Sequence, residues 1–150
     1  MNCSCGNSLK VVERERTVEF RGRSVTVPAR YLQCEGCGEL LVDPKDSTDA
    51  NRRAADLVRR EEGLLSSAGI RAIREQFGLT QREFEQLLRV GKNTVVRWES
   101  GTVIQSAAVD NTMRSLAEVP GLAKNMAARN GVRLATAAPY VESRPGLVRA

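Results

Sequence analysis

Cys3-Ser4-Cys5 and Cys34-Glu35-Gly36-Cys37 hold all four cysteines of the chain, and each pair runs into a glycine, Gly6 and Gly38. Two close pairs separated by a loop can supply the four soft thiolate donors that a zinc ion takes in a tetrahedron, with the glycines easing the backbone around the metal. A site with all four positions filled leaves no place for water or substrate. Its expected role is structural, a Zn2+ ion holding together a segment too small to bury a core of its own. Two disulfides, or unrelated thiols in a reducing cytosol, are the alternative for the same residues. The chain opens Met1-Asn2-Cys3 without the basic stretch and apolar run of a secretory signal, so a cytoplasmic location is expected. Two features depart from the usual zinc pattern: one residue rather than two separates the first cysteines, and the chain has no histidine.

A second set of residues has the chemistry for DNA. Thr80-Gln81-Arg82-Glu83 is a capping-box pattern opening a short helix with Phe84, Leu87 and Leu88 on one face. Val90-Gly91-Lys92 makes a turn, and Asn93 to Glu99 a second short helix closed by Ser100-Gly101. Val90, Val95 and Trp98 are expected inward; Lys92, Asn93, Thr94, Val96 and Arg97 outward. In a major groove an arginine fork bonds guanine, an asparagine pairs with adenine, and a valine or threonine methyl meets thymine. Asn93 and Arg97, four apart, share a face; Gln81 is expected at a phosphate, with Arg82 and Lys92 as further backbone contacts. Glu99 is expected to partner an arginine or a helix end, and Trp98 to be core.

The elements that must position these two sets are legible along the chain. Val11 to Phe20 and Ser24 to Val27 alternate and are rich in β-branched residues, with Arg21-Gly22-Arg23 between them, which predicts a hairpin. Glu39 to Val42 predicts another short strand. Asp43-Pro44 breaks the pattern, and Asp46 to Asp49 supply caps for a charged helix from Ala50 to Glu62, with Ala54, Leu57 and Val58 on one face. Ser66-Ser67 start a helix through Ile70, Ile73 and Phe77. A helix is expected over Ala107 to Val119, and another from Pro120 at its first turn to about Asn130. The predicted fold is α+β: a zinc-ribbon-like β module over 1–45, a connector helix and linker over 46–65, an all-α helix-turn-helix domain over 66–131, and a loosely ordered tail over 132–150, where Val132 to Leu134 could form a short strand.

Composition bounds the function. With 41% hydrophobic and 27% charged residues the chain is of the soluble globular type, and no apolar run approaches the roughly 18 residues that span a bilayer. The net charge of +5 suits an anionic partner, and from Ser66 to Asn130 nine basic residues face six acidic. Zinc hydrolases and deaminases keep an open coordination position, often with a histidine ligand; phosphate-cradling glycine loops and nucleophile elbows are also missing from the sequence, so a binding protein rather than an enzyme is expected.

Taken together, Cys3, Cys5, Cys34 and Cys37, the hairpin residues Phe20-Arg21-Gly22-Arg23, the helix start Leu79-Thr80-Gln81 and the segment Asn93 to Gly101 resemble the MqsA-type (YgiT-like) antitoxins, which join an N-terminal zinc module to an Xre-like (lambda-repressor-like) helix-turn-helix. The resemblance covers about residues 1 to 120. It implies that the N-terminal module binds and neutralises a cognate toxin, often an mRNA-cleaving ribonuclease. It further implies that the C-terminal module dimerises and represses its own operon at a palindrome, with Asn93 and Arg97 at the base-reading positions. Gln105 stands where Xre domains often have proline. A stand-alone zinc-containing transcription regulator without a toxin is the other reading.

Overall fold

The computed structural model describes residues 2–135; the tail expected to be loosely ordered lies, from residue 136 on, outside the described residues. Among the described residues three strands precede six helices in an α+β arrangement. β1 (Leu9–Phe20) and β2 (Arg23–Cys34) form an antiparallel hairpin paired from Leu9 opposite Cys34 to Phe20 opposite Arg23. Arg21 and Gly22 turn the chain with φ of 51° and 79°, the positive values a two-residue hairpin turn needs at both central positions. β3 (Leu40–Leu41) pairs with Leu32 and Gln33 on the other edge of β2.

β2 extends well past the expected Val27, through Pro28 opposite Glu15. Proline is tolerated because β3 reaches only Leu32 and Gln33, so at Pro28 one side of β2 is a sheet edge with no partner to bond. Helix α1 (Pro44–Glu62) begins six residues before the expected start. Asp43 accepts a hydrogen bond from the Lys45 amide as the N-cap, and Pro44 takes the first helical position, where its fixed φ and missing N–H cost nothing. The residues that break the strand thus start the helix.

α1 is more than a connector. Ala50, Ala54, Ala55 and Val58 pack against Phe20, Val27 and Ala29 of the hairpin and against Leu64 and Ile104, giving the sheet the apolar cover it lacks by itself. Leu57, expected on that face, is 41% exposed. Alanine at three of the four buried apolar positions of α1 brings the helix backbone close to the sheet.

The other helices, α2 (Ser67–Gln76), α3 (Gln81–Leu88), α4 (Thr94–Ser100), α5 (Ala107–Glu118) and α6 (Leu122–Asn130), enclose a second core around Leu65, Ile70, Ile73, Phe84, Leu87, Val95, Trp98 and Met113. Ser66, Thr80 and Ser106 cap α2, α3 and α5, each accepting a backbone N–H, and Thr80 and Glu83 complete both halves of the predicted capping box. α6 starts later than expected: Gly121, at φ 84°, is its cap, leaving Pro120 in the preceding turn. Val132 and Leu134 pack on this core without forming a strand, and the Ala135 amide bonds the Phe77 carbonyl at 3.1 Å.

A buried polar seam joins the two cores. Arg59 of α1, fully buried, donates from Nε to Gln105 Oε1 at 2.8 Å, from Nη2 to the Trp98 carbonyl at 2.8 Å and from Nη1 to Asp56 Oδ1 at 3.0 Å. Gln105 in turn donates to the Leu65 carbonyl at 2.8 Å and to Asp110 Oδ1 at 3.0 Å. Asp110 also accepts the Leu65 amide and the Arg114 guanidinium, each at 2.8 Å. Burial pulls the Arg59 pKa down, and its bond to Asp56 opposes that shift. The hairpin tip reaches the same place, Arg21 Nη2 bonding the carbonyls of Ile104 and Gln105 at 2.9 and 2.7 Å.

Gly101, at φ 77°, ends α4 directly against α1; a Cβ there would lie 2.5 Å from Arg52 Cα and 2.6 Å from its nitrogen. Gly101→Ala is expected to destabilise the protein by about 2–5 kcal/mol, combining left-handed strain with backbone overpacking. Denaturant unfolding measures it, and a loss under about 1 kcal/mol would contradict so close an approach of the two helices.

Candidate metal centre and nucleic-acid interface

Each cysteine pair sits on a turn at the open end of the hairpin. The Cys3 amide bonds the Asn7 carbonyl at 3.0 Å and the Gly6 amide the Cys3 carbonyl at 2.9 Å, folding Ser4-Cys5 outward. In the second pair the Gly38 amide bonds the Cys34 carbonyl at 3.1 Å, and the Cys34 amide bonds the Glu39 carbonyl at 2.9 Å. Since Leu9 pairs with Cys34, the end of the ladder sets the two turns side by side.

All four Sγ atoms lie within 4.8 Å of one another, with Cys3 to Cys37 at 3.6 Å and Cys5 to Cys34 at 3.3 Å. Four sulfurs at about 2.3 Å from one tetrahedral ion stand roughly 3.8 Å apart, so the set fits a shared metal despite the single residue between Cys3 and Cys5. These separations exceed the roughly 2.05 Å of a disulfide, and all four thiols are free. Donors already point at the sulfurs: Asn7 Nδ2 and the Gly36 amide reach Cys5 Sγ and Cys34 Sγ, both at 3.3 Å. Gly36 admits this packing, because a Cβ there would stand 2.3 Å from Asn7 Nδ2.

The thiols titrate far apart. Cys5 is lowered to about 6, first by the Asn7 side-chain amide, then by the Asn7 backbone N–H and the neighbouring thiols. Cys3 is raised to about 12; the Cys5 backbone N–H pulls it down, but burial and the thiols of Cys5, Cys34 and Cys37 together outweigh that bond. Cys37 is also raised, the Glu39 backbone N–H lowering it and the Cys34 thiol leading the opposing effects.

The second candidate site is the surface of α3 and α4. Val95 and Trp98 are buried beneath α4, whereas Lys92, Asn93, Val96 and Arg97 are exposed and Thr94 is half-buried. Asn93 is the N-cap of α4, at φ 64°, rather than its first helical residue. It nevertheless keeps the spacing to Arg97, whose amide bonds the Asn93 carbonyl at 3.3 Å. Gln81, Arg82, Lys92, Asn93 and Val96 line one shallow pocket. Gln81 Nε2 bonds Glu99 Oε1 at 3.4 Å, and Glu99 is held by both Nε and Nη2 of Arg74 at 2.9 Å, the arginine partnership expected for it. Glu85, buried behind the turn, accepts the Val95 amide at 2.9 Å and anchors the start of α4.

Residues 1–127 match the family model described as the antitoxin component of the bacterial toxin-antitoxin system, MqsA. The chain belongs to the MqsA antitoxin family. The match spans both the cysteine cluster and the α3–α4 pair. No curated protein matches the chain.

Sequence reasoning missed the residues that orient these MqsA-family sites. Asn7 and Gly36 shape the sulfur cluster, but an asparagine after a glycine signals only a turn until the two pairs are brought together. The grip of Arg74 on Glu99, 25 residues away, needed the packing of α2 on α4. Among the described residues no helix is long and apolar enough to cross a membrane.

Loading the sulfur cluster requires thiolates. At neutral pH Cys5 is already ionised, whereas Cys3 and Cys37, both raised, must each release a proton. Apparent metal affinity is therefore expected to weaken at least a hundredfold per pH unit lowered near neutrality, and more steeply below about pH 6 as Cys5 takes up its proton. Competition with a chromophoric chelator at several pH values measures this; an affinity independent of pH would refute a thiolate site.

Proposed function

We propose that this chain is a cytoplasmic antitoxin that neutralises the toxin of its own operon, a ribonuclease acting on mRNA, and represses that operon as a DNA-binding homodimer on a palindrome. Cys3, Cys5, Cys34 and Cys37 hold Zn2+, which stiffens the open end of the hairpin and takes no part in a reaction. The zinc-bearing β module over 1–45 takes the toxin. β1 supports this role, since it is the outer strand of the sheet and its free edge can extend a partner's sheet. In the helix-turn-helix over 66–131, Asn93 and Arg97 read bases, Thr94 and Val96 contact methyl groups, and Gln81, Arg82 and Lys92 hold phosphates.

The observation that carries the DNA reading is the division of α4: Val95, Trp98 and Glu99 are buried while Val96 and Arg97 face solvent beside Lys92 and Asn93. Burial on one side rigidly aims the other, as a recognition helix requires. Binding rather than catalysis accords with a sulfur cluster whose four donors fill a tetrahedron.

Arg97→Ala is expected to cost on the order of 1–3 kcal/mol of binding to the gene's own upstream DNA, relax sequence preference and leave thermal stability unchanged. Gel-shift titration at matched salt tests this; unaltered affinity removes Arg97 from base reading. Co-purification from the native host tests the toxin, and a chain that travels alone yet binds its upstream DNA is a stand-alone zinc-containing regulator instead.

A further inference from the structure

A cleft of about 450 Å³ opens between α1, α2 and α4, with Gln81 and Val96 on its wall. The same two residues line the pocket that contains Arg82, Lys92 and Asn93. The cleft is therefore continuous with the face proposed to meet DNA, and it carries the surface sideways onto α1, a helix outside the helix-turn-helix.

Three guanidinium groups reach this cleft, and they are not equivalent. Arg74 is committed: it grips both carboxylate oxygens of Glu99, and the two side chains are only 13% and 10% exposed. Arg71 is 65% exposed and pairs with Glu75 at 2.8 Å. Arg52 holds the Glu99 carbonyl through Nε at 2.9 Å and turns Nη1 toward half-buried Asp49 at 3.0 Å, the two side chains 42% and 45% exposed. Ion pairs this exposed contribute little in water, so both arginines can exchange a carboxylate for a phosphate, which accepts a guanidinium fork through two oxygens.

We infer that this cleft seats a backbone phosphate of the duplex whose bases α4 reads, with Arg71 and Arg52 as its donors. The inference rests on the DNA reading above and widens the footprint from the helix-turn-helix to α1. It also makes Arg52 a double contact, one part of its fork fixing the end of α4 and the rest meeting the DNA flank.

The test is the salt dependence of DNA binding by the full chain. Each phosphate neutralised adds about 0.9 to the slope of log affinity against log salt. Arg71→Gln is expected to lower that slope by about this amount and to weaken the upstream duplex and an unrelated duplex by the same factor, since a phosphate contact carries no sequence information. Arg52→Gln should do likewise once unchanged thermal stability shows that α4 stays anchored. Lys124→Gln, an exposed charge on α6 away from the cleft, controls for net charge and should leave the slope unchanged. An Arg71→Gln slope equal to wild type, or an equal drop for Lys124→Gln, overturns the inference while leaving DNA binding intact. Titration with inorganic phosphate separates a free anion from the duplex: phosphate binding abolished by Arg71→Gln with an unchanged DNA slope also overturns it. A wild-type chain that binds no duplex overturns the proposed function and this inference together.

Discussion

The buried guanidinium of Arg59 is the constraint around which the two halves are organised. A charge taken fully out of water is tolerable only if its donors are satisfied, and Arg59 meets this with Gln105, Asp56 and the Trp98 carbonyl. Those partners come from α1, from the end of α4 and from the loop before α5. Gln105 passes the connection to Asp110 and to the backbone of Leu65, so the network also ties down the start of the helical core. Networks satisfied this completely favour one arrangement of their elements, because any shift strands a buried donor or acceptor.

This seam gives α3 and α4 a fixed relation to the sheet. Its neighbours act in the same direction: Gly101 lets α4 end against the α1 backbone, Arg52 bonds the Glu99 carbonyl, and Arg21 reaches from the hairpin tip to Ile104 and Gln105. The face of α4 is thus supported from behind by its own core and from the side by α1. A helix of seven residues has little stability alone, and these outside contacts hold it in place.

At the far end of the hairpin the sulfur cluster meets a different need. Apart from the cover that α1 supplies, the sheet buries little: Phe20, Val27 and Ala29 are its buried apolar contributions, and all lie toward the turn or the middle. The open end has only the ladder and the cysteine turns, and a metal ion held by the four sulfurs would fix two turns that have so little apolar material nearby. Core packing secures one end of the hairpin, and the sulfurs converge at the other.

Much of this was readable from local chemistry. The cysteine pairs with their glycines, the capping box at Thr80 and Glu83, the inward Val95 and Trp98 and the α+β order are short-range signals, and sequence spacing determined them. Where reading failed, a longer-range partner decided. Pro28 stays in a strand because β3 stops short of it, and Leu57 points outward because three alanines fit closer to the hairpin. Gln105, conspicuous in sequence only as a departure from proline, became intelligible once Arg59, 46 positions earlier, lay beside it. The sequence by itself determined which residues could ligate, cap or face a groove, since those properties belong to side chains and their near neighbours. Tertiary structure alone decided how the two halves lock together, because a buried hydrogen bond exists only between groups that packing has already brought together.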